Sequence, residues 1–101
     1  VQKEFKQIIE RLAKQDVEAL EKADESYGDS WKKRGGIGAY MVSIRKIDRI
    51  ENQVEKFNYD IFKAGIKEIE GNIQDGILDD IRDYRRYLFL IEAEIIRLSK
   101  K

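Results

Sequence analysis

ILDDIRDYRRYLFLIEAEIIRL, residues 77–98, decides the fold. Ile77, Ile81, Tyr84, Leu88, Ile91, Ile95 and Leu98 step along it by three and four, the period of an amphipathic helix. Leu78, Tyr87, Phe89, Leu90 and Ile96 add apolar surface outside that stripe. A helix that is apolar over more than one face either lies at the centre of a bundle or keeps a surface for another chain. The excess here points to a homo-oligomer.

Working outward, GNIQDG (71–76) is turn chemistry, and the helix begins after Gly76. Before the turn, YDIFKAGIKEIE (59–70) reads as a shorter helix with Gly65 weakening its middle. A long helix runs from Ile37 or Gly38 to about Phe57, with Tyr40, Met41, Ile44, Ile47, Ile50 and Val54 as its stripe. Residues 2–26 form another, through Phe5, Ile8, Ile9, Leu12, Ala13, Val17, Leu20 and Ala23, and Gly28 ends it. No stretch alternates with period two, no internal repeat occurs, and no proline interrupts a helix. The expected class is all-α: an antiparallel helical bundle of three long helices and one short, in a single domain over residues 1–101.

At 42% hydrophobic and 40% charged residues, the chain is too apolar for disorder. It is also too charged for a membrane, because no apolar run reaches the roughly 18 residues that a span needs. Twenty basic side chains balance twenty acidic ones, so no global field draws the protein onto duplex DNA or acidic lipid, and any affinity for anions is local. Without cysteine there is no disulfide, thiolate nucleophile or zinc knuckle, and without histidine no His-based triad. A metal would be a hard cation held by carboxylates, Mg²⁺ or Mn²⁺. No leader pattern opens the sequence, and the expected compartment is the cytoplasm.

Two constellations carry candidate chemistry. Asp48 with Glu51, and Asp80 with Asp83, are i,i+3 pairs, each on one face of a helix. Side by side, the four would form a Mg²⁺ site; otherwise they are solvated charges paired with arginines. Asp79 adds an acid at the start of the last helix, where the helix dipole rewards it. The second constellation is YGDSWKKRGGIGAY, residues 27–40. Lys32, Lys33 and Arg34 precede Gly35, Gly36 and Gly38 at a helix start, a phosphate-binding arrangement of cations, free amides and helix dipole. It is neither a Walker A loop nor a GxGxxG turn. Trp31 and Tyr40 offer faces for a base, Arg45, Lys46, Arg49, Arg82 and Arg86 add cations nearby, and Asp29 and Ser30 order the loop.

YGDSWKKRGGIGAYMVSIRKIDRIE (27–51), YDIF (59–62) and GILDDIRDYRRYLFLIEAEI (76–95) together resemble the nucleotide modification associated domain 1 family, small proteins common in phages and prophages. The likeness spans residues 25–95 and implies a nucleotide or nucleotide-derived signal as ligand. A more distant similarity is to the MazG-like all-α nucleoside triphosphate pyrophosphohydrolases, whose ExxE and ExxD acids hold Mg²⁺ at a triphosphate. The Asp48/Glu51 and Asp80/Asp83 pairs share that spacing, with Asp at two positions where those enzymes carry Glu and an extra helical segment between the pairs.

The resulting expectation is a phage-type protein that sequesters a nucleotide signal, as in anti-defence. A Mg²⁺-dependent nucleotide pyrophosphohydrolase is the alternative, and a structural or adaptor bundle the third.

Overall fold

The computed structural model describes residues 1–100. Four α-helices form in order: α1 (Lys3–Tyr27), α2 (Gly35–Glu55), α3 (Ile61–Glu70) and α4 (Ile77–Ser99), with a 3₁₀ turn at Ser30–Lys32 between the first two. The all-α class is as the periodicities predict, with no strand among the described residues. The 3₁₀ turn was not foreseen, and α2 starts two residues before the earlier of the expected positions.

Local chemistry explains the breaks. Gly28 has φ +55° and donates its amide to the Asp24 carbonyl, ending α1. Gly35 has φ +74°, a conformation that costs glycine little, and it lets the chain turn sharply into α2. Asn58 and Tyr59 both adopt positive φ, which stops α2 and re-aims the chain. Asp60 then caps α3 by accepting from the Lys63 amide at 3.0 Å. Gly65 does not interrupt α3.

α4 is the hub: α1, α2 and α3 each pack on it. The apolar core is small, and Ala39, Val54, Ala64 and Ile77 are its only buried apolar side chains among the described residues. Ile50, Phe57, Leu78 and Ile81 pack around Val54, Ala64 and Ile77. As many polar side chains are buried: Asp16, Ser43, Glu68 and Asp80.

Three of those are carboxylates, and each ties one helix to α4. From α1, Asp16 accepts from Arg85 (Nη2–Oδ1 2.8 Å) and Arg86 (Nε–Oδ1 2.9 Å). From α3, Glu68 accepts from the backbone amides of Ile77 (2.5 Å) and Leu78 (3.1 Å), capping α4 from outside its own chain segment. From α4 itself, Asp80 accepts from Arg49 (Nε–Oδ1 2.8 Å) and Gln53 (Nε2–Oδ2 2.7 Å) of α2. α2 and α4 run antiparallel, since Arg49 meets Asp80 while Lys32, just before α2, meets Glu94.

α1 is the most loosely held element. It is about 37 Å long, and Phe5, Ile8 and Ile9 in its first half are exposed. The Cα radius of gyration is 15.4 Å, against about 13 Å for a compact domain of this length.

Burial pushes the Asp16 carboxyl up, but the Arg85 and Arg86 hydrogen bonds and charges outweigh it, and its pKa lies below the usual value. With the folded pKa depressed, the stabilisation is complete above the unfolded value near 4 and is lost as pH falls through the lower folded value. Asp16→Asn should therefore flatten the dependence of Tm on pH in the acid range. At neutral pH, Asp16→Ala should destabilise by about 2–4 kcal/mol, towards the low end for a buried pair because both guanidinium groups keep some solvent; urea unfolding followed by circular dichroism measures it. Gly76→Ala should cost about 1–2 kcal/mol by the same measurement, because an added Cβ overlaps the Glu68 carboxylate and dislodges the cap.

Candidate functional site: the loop before α2 and the groove beside it

Residues 28–34 join α1 to α2 and separate two different surfaces. Facing inward, Trp31 and Lys32 are half-buried and help line a groove of about 680 Å³ between the second half of α1 and α4. Facing outward, Lys33, Arg34, Gly35, Gly36 and Ile37 are exposed.

The groove has the volume of a small-molecule site. Its walls are apolar, with Ala19, Leu20 and Ala23 on α1 and Tyr87, Leu90 and Ala93 on α4. Its cations are already engaged. Lys32 donates to Glu94 at 2.8 Å, with its Nζ also 6.0 Å from the Trp31 ring centroid. Arg97 binds the same carboxylate through Nε (2.5 Å) and Nη2 (3.0 Å), and Arg86 is held by Asp16. The Glu94 carboxyl is lowered to about 2 by the Arg97 and Lys32 hydrogen bonds, so the cluster stays ionised across the neutral range. Glu21, Asp24, Asp29 and Asp83 complete a rim with more acids than cations. A phosphate entering there meets no free cation among the described residues.

The outward surface is the opposite. No side chain caps the start of α2, no acid stands in its first turn, and first-turn amides have no partner inside a helix. Lys33, Arg34 and Arg45 are exposed and join no ion pair among the described residues. Nothing lies within 4 Å of where a Gly36 Cβ would be, and Gly35 and Gly36 are exposed. At Gly38 an added Cβ would stand 2.8 Å from the Arg34 Cβ, so glycine is what lets Arg34 lie against the helix. Tyr40 is 59% exposed and Met41 53%, one turn further along.

The remaining sequence-derived cations serve the fold. Lys46 pairs with Asp83 at 3.1 Å and approaches Asp80 at 3.9 Å, Arg49 holds Asp80, and Arg82 binds Asp79. The structure thus brings Asp80 and Asp83 together around Lys46, while Asp48 and Glu51 are exposed on α2. Among the described residues no three carboxylates come close enough to share an ion. Both Asp80 oxygens are already occupied by donors from α2. This donor set does not fit Mg²⁺. Asp16 and Glu68, which organise the fold, were not singled out from the sequence. Their signal is an acid on an apolar stripe: Asp16 lies four residues from both Leu12 and Leu20, and Glu68 four from Ala64.

No helix is long and apolar enough to cross a membrane among the described residues. No family model matches the chain, and neither does a curated protein or a solved structure. The family resemblance therefore rests on the quoted motifs alone.

If Asp80 serves as a structural clasp, excess Mg²⁺ leaves Tm unchanged in a thermal melt, whereas Asp80→Asn lowers it. A rise in Tm with Mg²⁺ that disappears in Asp80→Asn would restore the metal assignment.

Proposed function

We propose that the protein binds a phosphate-bearing nucleotide at the start of α2 and sequesters it without metal. The observation that carries this reading is the pair Lys33 and Arg34: exposed, unpaired, and leading directly into uncapped backbone amides. Cations with free amides at a helix start match the charge and hydrogen-bond geometry of a phosphate. Arg45 extends the positive surface along α2, and the exposed Tyr40 ring supplies a stacking face for a base. Lys32 and Arg86 drop out of direct contact under this reading, because Glu94 and Asp16 hold them. The resemblance to a nucleotide-associated phage family adds the ligand class. A homo-oligomer accompanies this reading, because the single chain leaves much apolar surface exposed.

The adaptor reading has one observation of its own. The outer face of α3 exposes Phe62 (80%), Ile66 (58%) and Ile69 (67%), enough apolar surface for a protein partner.

Calorimetry against mononucleotides, deoxynucleoside triphosphates, cyclic oligonucleotides and ADP-ribose derivatives tests the proposal, run with Mg²⁺ and with EDTA and followed by chromatography of the recovered ligand. The expected result is EDTA-insensitive binding, intact ligand, and a loss of about tenfold or more for each of Lys33→Glu and Arg34→Glu. Arg82→Ala, at a cation held by Asp79, should leave affinity unchanged. Conversion of the ligand would move the reading to a hydrolase, and inertness towards the whole panel would move it to the adaptor.

A further inference from the structure

The chain exposes far more surface than a folded monomer should. Its accessible surface is 8284 Å², whereas a monomer of 101 residues exposes about 6,000 Å². The surplus, about 2,300 Å² per chain, has the scale of an obligate interface rather than a passing contact.

Two parts of that surface complement each other. The first half of α1 presents Phe5, Ile8 and Ile9, exposed at 55%, 38% and 46% and covered by no other element. The groove between the second half of α1 and α4 is lined by small and flat apolar groups, among them Ala19, Ala23, Tyr87 and Leu90. Large side chains on one and small ones on the other suit ridges entering a groove. Phe5 and Ile9 fall on the same helical stripe as Ala23, so one face of α1 carries both the projecting residues and part of the receiving wall.

Charge points the same way. Residues 3–14 of α1 hold four cations and two acids, whereas residues 17–25, beyond the buried Asp16, hold four acids and one cation. Two α1 helices side by side and parallel would set like charges together; antiparallel, the basic half of each lies on the acidic half of the other. Glu21 and Asp24, on the groove rim, then meet Lys3, Lys6 or Arg11 of the opposite helix. With 20 basic and 20 acidic groups, no net charge opposes association of identical chains.

We propose that the groove's occupant is a second copy of this chain. Each protomer seats Phe5, Ile8 and Ile9 in the other's α1–α4 groove, and the two α1 helices lie antiparallel about a two-fold axis. Such an isologous contact closes on itself and yields a dimer. The proposal does not depend on nucleotide binding, because Lys33 and Arg34 lie on the outward side of the loop.

Sedimentation equilibrium at micromolar protein tests it. The wild type is expected at twice the chain mass, Ile9→Glu and Phe5→Glu at the monomer mass, and Phe62→Glu, on the outer face of α3, at the dimer mass. Because the chain lacks cysteine, the double variant Ile9→Cys/Ala23→Cys reads the orientation against its two single variants, which cross-link alone only if the helices are parallel, even if a glutamate variant fails to fold. Its oxidation should give a covalent dimer on a non-reducing gel, at a rate that added salt reduces. A wild-type monomer, a dimer abolished by Phe62→Glu but not by Ile9→Glu, or a double variant that does not cross-link would each overturn the proposal. Loss of nucleotide binding in Lys33→Glu with the dimer intact would separate the two sites.

Discussion

One constraint governs the structure: three helices are held to α4 by three buried carboxylates, each satisfied by donors across a helix boundary. Asp16 meets Arg85 and Arg86, Asp80 meets Arg49 and Gln53, and Glu68 meets the first amides of α4. Ordinary bundles set helix register by interlocking apolar side chains. Here only four apolar residues are buried among the described residues, so apolar packing defines the positions weakly. A buried carboxylate without its donors is costly, so each pairing excludes slipped registers more sharply than it adds stability. No buried side-chain polar atom among the described residues lacks a partner, as this logic demands.

The three clasps are unequal, and the difference sets how the molecule behaves. α2 reaches α4 through Asp80 and again through the Lys32–Glu94 contact near its other end, and α3 adds Ala64 and the Glu68 cap to the core. α1 has the Asp16 cluster, an open groove on one side of it and exposed apolar residues on the other. Helices of this length gain most of their stability from packing rather than from propensity. The first half of α1 is therefore the segment with most to gain from contact with another chain, and the segment that opens first when no such contact exists.

Much of the fold was legible in the sequence because helical periodicity is a local property. The stripes from Phe5 to Ala23 and from Ile77 to Leu98 needed no knowledge of what they faced. The site was less legible, because whether a cation is free depends on residues far away in the chain. Lys32 and Lys33 are neighbours with the same chemistry, yet Lys32 is bound to Glu94, 62 residues on, and Lys33 is not. Arg45 and Arg49 lie one turn apart on α2, and only Arg49 finds a buried acid. The carboxylates divide likewise: i,i+3 spacing brought out Asp48 with Glu51 and Asp80 with Asp83, but burial separates Asp80 from Asp48 and Glu51. Asp16 and Glu68 belonged to no motif, and only their places on apolar stripes marked them.

This sorting of charges explains how a chain with no net charge keeps a local surplus of positive charge on its surface. Cations that face acids inside the bundle are neutralised there, and their fields hardly reach solvent. What remains outside is set by position: Lys33 and Arg34 follow a 3₁₀ turn that points Trp31 and Lys32 inward, and the left-handed Gly35 then starts α2 before any acid appears. Gly35 thus has two consequences. It turns the chain into α2 directly after Arg34, an N-cap residue that makes no side-chain capping bond, and it leaves the positive end of that helix beside two cations that join no ion pair among the described residues. A residue with a Cβ would resist that backbone conformation and so disturb the start of the helix and the cation pair together. The proposed anion site thus rests on the turn's geometry as much as on its basic residues.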